Sequence, residues 1–289
     1  ALLAVVSMLL GVIVAVGAAV VAPPDARVWE ADSLTVYPGL IDPFVPISDP
    51  SAARLAPAGP PWAQRRVGPE PETARGAAAA LSSVTPEVRI VEKLPVPKDQ
   101  REALRAAGFT VAHLVPASGI VRGQSAVVAL EDDAPTGHVV KSDAAQVIAL
   151  QPARGTYPAS LMGAIAVIRQ TFLDAQWYRD ARAAYERAPQ GVERPVTNVS
   201  WEALQPVIAG RQNAWFLADE MLEVLRAAGI AKEAGGGAVV VGNGDEYKRA
   251  KEIAATAVPL VLPVDFPDAP DVANADDALE ITTEQLRHW

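Results

Sequence analysis

The chain has 289 residues, 50% of them hydrophobic, and a formal net charge of −9, which allows one large domain or two modest ones. The acidic balance argues against a nucleic-acid partner, which needs a basic face, and Arg65-Arg66 is the nearest thing to a basic block. No cysteine is present and the only histidines are His113, His138 and His288, so disulfides and thiolate chemistry are excluded and a His-rich metal centre is nearly so.

Residues 1–22 carry no charge. An apolar run of about 20 residues fits a membrane span, and a secretory signal peptide would need a basic start that is missing here. A pair of strands also fits: Val12, Val14 and Val16 alternate with Ile13 and Ala15 between Gly11 and Gly17. Residues 43–97 are rich in Pro, Ala and Gly and lack a sustained period apart from 88–91, which predicts a long surface excursion. A helix is expected over 98–107, closed by Gly108, then a strand over 109–115 stopped by Pro116. Two strand-like runs, 125–130 and 138–150, flank the turn residues Asp132, Asp133, Pro135 and Gly137 and read as a hairpin.

The clearest helix opens at Pro158 and runs to about Ala188. Leu161, Ile165, Ile168, Phe172, Ala175 and Tyr178 recur at spacings of three and four and form one apolar stripe. Pro189-Gln190-Gly191 ends it, and Ser200 is the expected N-cap of the next helix. Thereafter strands at 214–218, 238–241 and 258–262 alternate with helices at 219–228 and 245–255. That alternation argues for βαβ units and a parallel sheet.

Candidate chemistry follows from this layout. Asp219, Asp245 and Asp265 each follow a predicted strand, where barrel active sites are built. They are either carboxylate ligands for a hard cation such as Mg²⁺ or Ca²⁺, or helix N-caps (Asp219, Asp245) and a solvated loop residue (Asp265). Gly242-Asn243-Gly244 stands where a phosphate could sit on a helix N-terminus, although Tyr247 replaces the third glycine of the dinucleotide pattern. His113, inside an apolar strand, reads as a hydrogen-bonded core residue rather than a catalytic base.

Several stretches resemble the amidohydrolase superfamily, near its imidazolonepropionase-like, large secreted bacterial members. Val36-Tyr37-Pro38-Gly39-Leu40-Ile41-Asp42 resembles the entry to the family's barrel, and residues 11–41 resemble its small N-terminal β-sandwich. Gly108-Phe109-Thr110-Val111 with Pro116-Ala117-Ser118-Gly119, the run Arg122-Gly123-Gln124-Ser125-Ala126-Val127, and Tyr157-Pro158 with Leu161-Met162-Gly163 are similar to further family motifs. The resemblance implies an α/β fold: an amidohydrolase-like (β/α) barrel over 38–289, whole or incomplete, with N-terminal sandwich strands over 1–37. It also implies periplasmic or extracellular location.

Family members carry a His-x-His metal pair after the Pro-Gly-x-Ile-Asp turn and further histidines at two later strand ends. Here those positions hold Phe44 and Pro46, then Leu217 and Gly242, while the family's late aspartate falls beyond Trp289. Zinc needs three or four N, S or O ligands, and these residues supply none. Three readings stay open. The first is an amidohydrolase-fold protein without its metal or any other cofactor, acting by binding or as an assembly subunit with a protein partner or its own copies. The second is a zinc-dependent hydrolase of C–N bonds whose ligands lie elsewhere, including outside a partial chain. The third is a membrane-tethered protein anchored by residues 1–22. Asp219, Asn243, Asp245 and Asp265 are the candidate pocket or cation-binding residues.

Overall fold

The computed structural model describes residues 5–9, 12–17, 20–21, 23–25, 27–28, 34–35, 37–47, 78–94, 96–131, 138–152 and 157–264. The chain divides into two compact units, residues 1–39 and 40–289. In the first, β1 (Val5–Leu9) and β2 (Val12–Gly17) pair antiparallel. The apolar start therefore contains a hairpin, as the Val alternation predicts, and no described helix is long and apolar enough to cross a membrane. This hairpin is the described sheet of that unit, and a sandwich is not seen among the described residues.

The second unit holds two open sheets. One contains β3 (Leu40–Ile47), β4 (Phe109–Pro116), β6 (Ala126–Ala129) and β7 (His138–Lys141) in that order, with β3 and β4 parallel and the rest antiparallel. The other has the order β11-β10-β9-β8-β5, from β5 (Val121–Gln124), β8 (Ala145–Ala149), β9 (Asn213–Leu217), β10 (Ala238–Val241) and β11 (Leu260–Val261). Strands β8 to β11 are parallel, and β5 is antiparallel to β8. The described strands form these sheets rather than one continuous ring.

The parallel sheet is assembled by helical crossovers, as the strand–helix alternation predicts. Helices α2 (Leu161–Arg187) and α3 (Val199–Ile208) connect β8 to β9, and α4 (Met221–Ala234) connects β9 to β10. A 3₁₀ turn (Asp245–Arg249) and α5 (Ala250–Thr256) lead to β11, so the helix expected over 245–255 begins with a tighter turn. Ser160 caps α2 by accepting from the Gly163 N–H at 3.2 Å. The apolar stripe of α2 buries Ile168, Phe172, Ala175 and Tyr178. Ile168, Phe172 and Ala175 join Ile148, Phe216, Val224, Ile230 and Val240 in the larger core, while Tyr178 packs on Trp201 of α3. A smaller core lies under the four-stranded sheet, where α1 (Lys98–Ala106) and the segment before it cover Val45, Ala112, Leu114 and Val128.

Three expectations need correction. The run 138–150 is two strands, because Asp143 at φ 50° breaks it and sends β7 and β8 into different sheets. The N-cap of α3 is Asn198, whose side chain accepts from the Trp201 N–H at 3.0 Å. Ser200 is buried inside the first turn, donates to Glu87 at 2.7 Å and accepts from the Ala79 N–H at 2.8 Å. Finally, of the surface excursion expected over 43–97, residues 48–77 lie outside the described residues, residues 43–47 belong to β3, and residues 78–94 pack against the cores. Val84 packs into the larger core and Ile90 into the smaller one, so this segment straps the two sheets together.

The strap demands a glycine. Val88 O accepts the Gln124 N–H at 2.7 Å, and a Cβ on Gly123 would stand 2.2 Å from that same oxygen, at a φ of +114°. Gly108 also has positive φ, +93°, but open space around its missing Cβ. Gly123→Ala is expected to cost on the order of 3 kcal/mol, against about 1 kcal/mol for Gly108→Ala. Urea unfolding of the two variants measures the difference, which isolates the clash from the backbone preference.

Candidate functional site

In a parallel sheet the strand ends that face a ligand are the C-terminal ones, and here the C-terminal ends of β8, β9 and β10 bring Gln151, Asp219 and Asn243 together. The Gln151 side-chain amide donates to the Asp219 carboxylate, and the Asn243 side-chain amide donates to the Asp219 backbone carbonyl. Asp219 therefore does not cap α4. The N-cap residue is Glu220, with no side-chain capping bond, and Glu223 reaches back instead to accept the Asp219 N–H at 2.8 Å. Asp245 caps nothing either: Gly244 is the N-cap of the 3₁₀ turn, and Asp245 pairs with Lys248 at 2.9 Å. Asp265 lies outside the described residues.

The Gly242-Asn243-Gly244 turn is filled from within. Glu246, buried, accepts the Asn243 N–H at 3.1 Å through one carboxylate oxygen and the Gly244 N–H at 2.9 Å through the other. A Cβ on Gly242 would collide with that carboxylate. The amides expected to cradle a phosphate thus already hold an anion belonging to the chain itself.

Charge at this end is finely set. Arg122 is buried and its Nε donates to Gly119 O at 3.0 Å. Burial lowers its pKa, and the nearby Asp219 carboxylate opposes the fall. Burial also raises the Asp219 carboxyl, with Arg122 lowering it and Glu220 raising it further. For Glu223, burial is the leading cause of a raised pKa. The hydrogen bond from the Asp219 N–H lowers it, the carboxylates of Asp219 and Glu220 raise it, and Arg226 lowers it.

The positions implied as metal ligands are spread over both sheets. Phe44 and Pro46 lie near the end of β3, where Val45 and Ile47 face the smaller core, so alternation turns Phe44 and Pro46 to the opposite face. On β4, Ala112 and Leu114 likewise face the core, which turns His113 and Val115 the same way as Phe44 and Pro46. Leu217 ends β9 on the side of Trp215, opposite Ala214 and Phe216. Gly242 follows β10, its N–H bonded to Val261 O at 3.0 Å. These side chains, a phenyl, a pyrrolidine, an isobutyl and a hydrogen, do not fit a zinc ion, which takes imidazole, thiolate or carboxylate. Among the described residues no group of three or more His, Cys, Asp or Glu could hold a metal ion.

His113 is a core residue with both ring nitrogens engaged, as its apolar strand predicts. Nδ1 lies 3.0 Å from Pro43 O and Nε2 lies 2.7 Å from Ser125 Oγ, while its ring meets Trp215 edge to face at 4.3 Å. The carbonyl at Nδ1 requires a proton there, so in the neutral ring Nε2 accepts from the Ser125 hydroxyl. Burial is the main cause lowering its pKa. The Pro43 carbonyl opposes it, and Lys141 adds to the fall. The Ser125 hydroxyl also lies 3.1 Å from Ala145 O and the residue is fully buried. Nothing in the apolar pattern around Ser125 signalled that contact.

A comparison with protein-family models finds no match for the chain, and no curated protein matches it in sequence. Among solved structures, the chain is similar to the crystal structure of an amidohydrolase from Thermotoga maritima MSB8. The TM-score is 0.61 and the identity 21%, over 91% of this chain and 68% of that one. The fold is amidohydrolase-like.

The buried Glu223 carboxyl generates a testable pH dependence. A carboxyl with a raised folded-state pKa makes the folded state hold its proton more tightly than the unfolded chain. Its contribution is therefore complete at low pH and is lost as pH rises from the ordinary glutamate range through the raised value. Glu223→Gln keeps an acceptor for the Asp219 N–H and removes the titration. Its stability relative to the parent should increase as pH rises through that window, measured by urea unfolding across pH 4 to 8 (roughly the span in which such groups titrate).

Proposed function

We propose that this protein is an amidohydrolase-fold member of the imidazolonepropionase-like, large secreted bacterial type that no longer carries a catalytic metal and acts by binding or as a subunit of an assembly. A protein partner or further copies of the chain, an exported location, and a barrel architecture, whole or incomplete, belong to the same reading. One observation carries it: the residues that the family resemblance assigns to the ligand positions, Phe44, Pro46, Leu217 and Gly242, offer no side-chain donor atom. The carboxylates that do reach the neighbouring strand ends support it. Glu223 and Glu246 are bonded to backbone amides and Asp219 to a side-chain amide. A carboxylate committed in this way would have to give up charge-assisted bonds before it could ligate an ion.

The solved amidohydrolase that shares the fold supports the rival, a metal-dependent hydrolase of C–N bonds with ligands drawn from other residues. Elemental analysis of protein produced in zinc-supplemented medium, paired with hydrolysis assays on linear and cyclic amides, separates the two. The expected result is no stoichiometric transition metal and no turnover on adding zinc, manganese or cobalt. One bound zinc per chain with metal-dependent amide cleavage would establish the rival.

A further inference from the structure

At the opposite end of the parallel strands lies a cleft of about 460 Å³, within the range of small-molecule pockets. Ala144 precedes β8, Gln212 precedes β9, Gln124 ends the antiparallel β5, and α3 adds Val199, Ala203 and Pro206 as an apolar wall. Its polar lining is unusual in two respects.

The first is a chain of buried amides with an open end. The Gln212 Nε2 donates to Gln124 Oε1 at 2.5 Å and to Asp143 O at 2.7 Å. Gln124 Nε2 in turn donates to Gln146 Oε1 at 3.0 Å. Flipping the Gln212 amide would set oxygen against two acceptors, so its orientation is fixed. That leaves Gln212 Oε1, on a side chain only 8% exposed, as a buried acceptor with no partner. An unpaired buried acceptor costs about 1–3 kcal/mol; Oε1 has almost no accessible surface, so a small shift of the Gln212 side chain toward the cleft would let an N–H there relieve it and extend the amide chain.

The second is the charge pattern. Arg89 and Asp143 neutralise each other through two bonds of 2.7 and 2.6 Å. Lys141 and Arg211 also line the cleft, and among the described residues neither side chain has an ion-pair partner. Glu87 supplies negative charge on the same lining, its carboxylate held by the Ser200 hydroxyl at 2.7 Å. Two free cations, one oriented carboxylate, a fixed amide acceptor and an apolar wall together describe a receptor for a compact molecule bearing both charges.

We propose that this cleft binds a small zwitterion of the amino-acid class, its carboxylate drawn to Lys141 and Arg211 and its ammonium to the Gln212 carbonyl, with Glu87 as counter-charge. The site is independent of the fate of the metal positions, so finding bound zinc would leave it standing. Isothermal titration of the full chain with each of the twenty free L-amino acids tests it, with acetate and methylammonium as half-ligands. At least one amino acid should give saturable one-to-one heat where neither half-ligand does. Gln212→Leu and Arg211→Ala should each weaken that binding about tenfold or more, while Arg179→Ala, on α2 away from the cleft, should leave it unchanged. Should Gln212→Leu fail to fold, the exposed Arg211→Ala decides the matter. The proposal is overturned if no amino acid saturates, if acetate alone binds as tightly, or if binding persists undiminished in the folded variants.

Discussion

His113, on β4, touches three other parts of the chain at once, and that junction ties the larger unit together. Its Nδ1 meets the Pro43 carbonyl of β3, its Nε2 meets Ser125 between β5 and β6, and its ring meets Trp215 of β9. The imidazole thereby links the four-stranded sheet on which it stands to the five-stranded one. The strap at residues 84–90 makes a second link, with Val84 in one core and Ile90 in the other. Between them these contacts link the two open sheets without a continuous hydrogen-bonded seam. A buried polar pair at such a junction is worth having only when every donor and acceptor is met, and His113 with Ser125 meets that condition.

Much of the architecture is legible in the amino-acid sequence. The three-and-four spacing of Leu161 to Tyr178 located α2, and Gly108 marked the start of β4, which runs through Pro116 as its last residue. The alternation of strands and helices after residue 213 reported a parallel sheet, because parallel neighbours need a crossover connection between them. What misled was local chemistry that depends on distant partners. Ser200 has the profile of an N-cap, yet Glu87 and Ala79, more than a hundred positions away, recruit its hydroxyl. The run 138–150 is uniformly strand-like, and only the left-handed turn at Asp143 divides it between two sheets.

The same limit applies to the strand ends. Residue type suggested that Asp219 and Asp245 would be either ligands or caps, and neither of them is a cap. In both turns a glutamate further along the chain bonds to backbone amides at or before the helix start, the reach-back half of a capping box. Composition shows that acids are present in the first turn of each helix, but which acid folds back is decided by burial, and Glu223 and Glu246 are the buried ones. The amide chain through Gln212, Gln124 and Gln146 had no signal in the sequence, since its members sit 88 and 22 positions apart.

The Glu246 carboxylate, lodged between the Asn243 and Gly244 amides, acts as a tethered impostor for whatever anion such a turn would otherwise attract. Because it is covalently attached, it competes at an effective concentration that a dissolved phosphate cannot easily match. The turn is consequently self-sealed against inorganic anions in its surroundings. A ligand could claim those amides only by swinging the glutamate out, and a carboxylate so displaced must find solvent or a new cation.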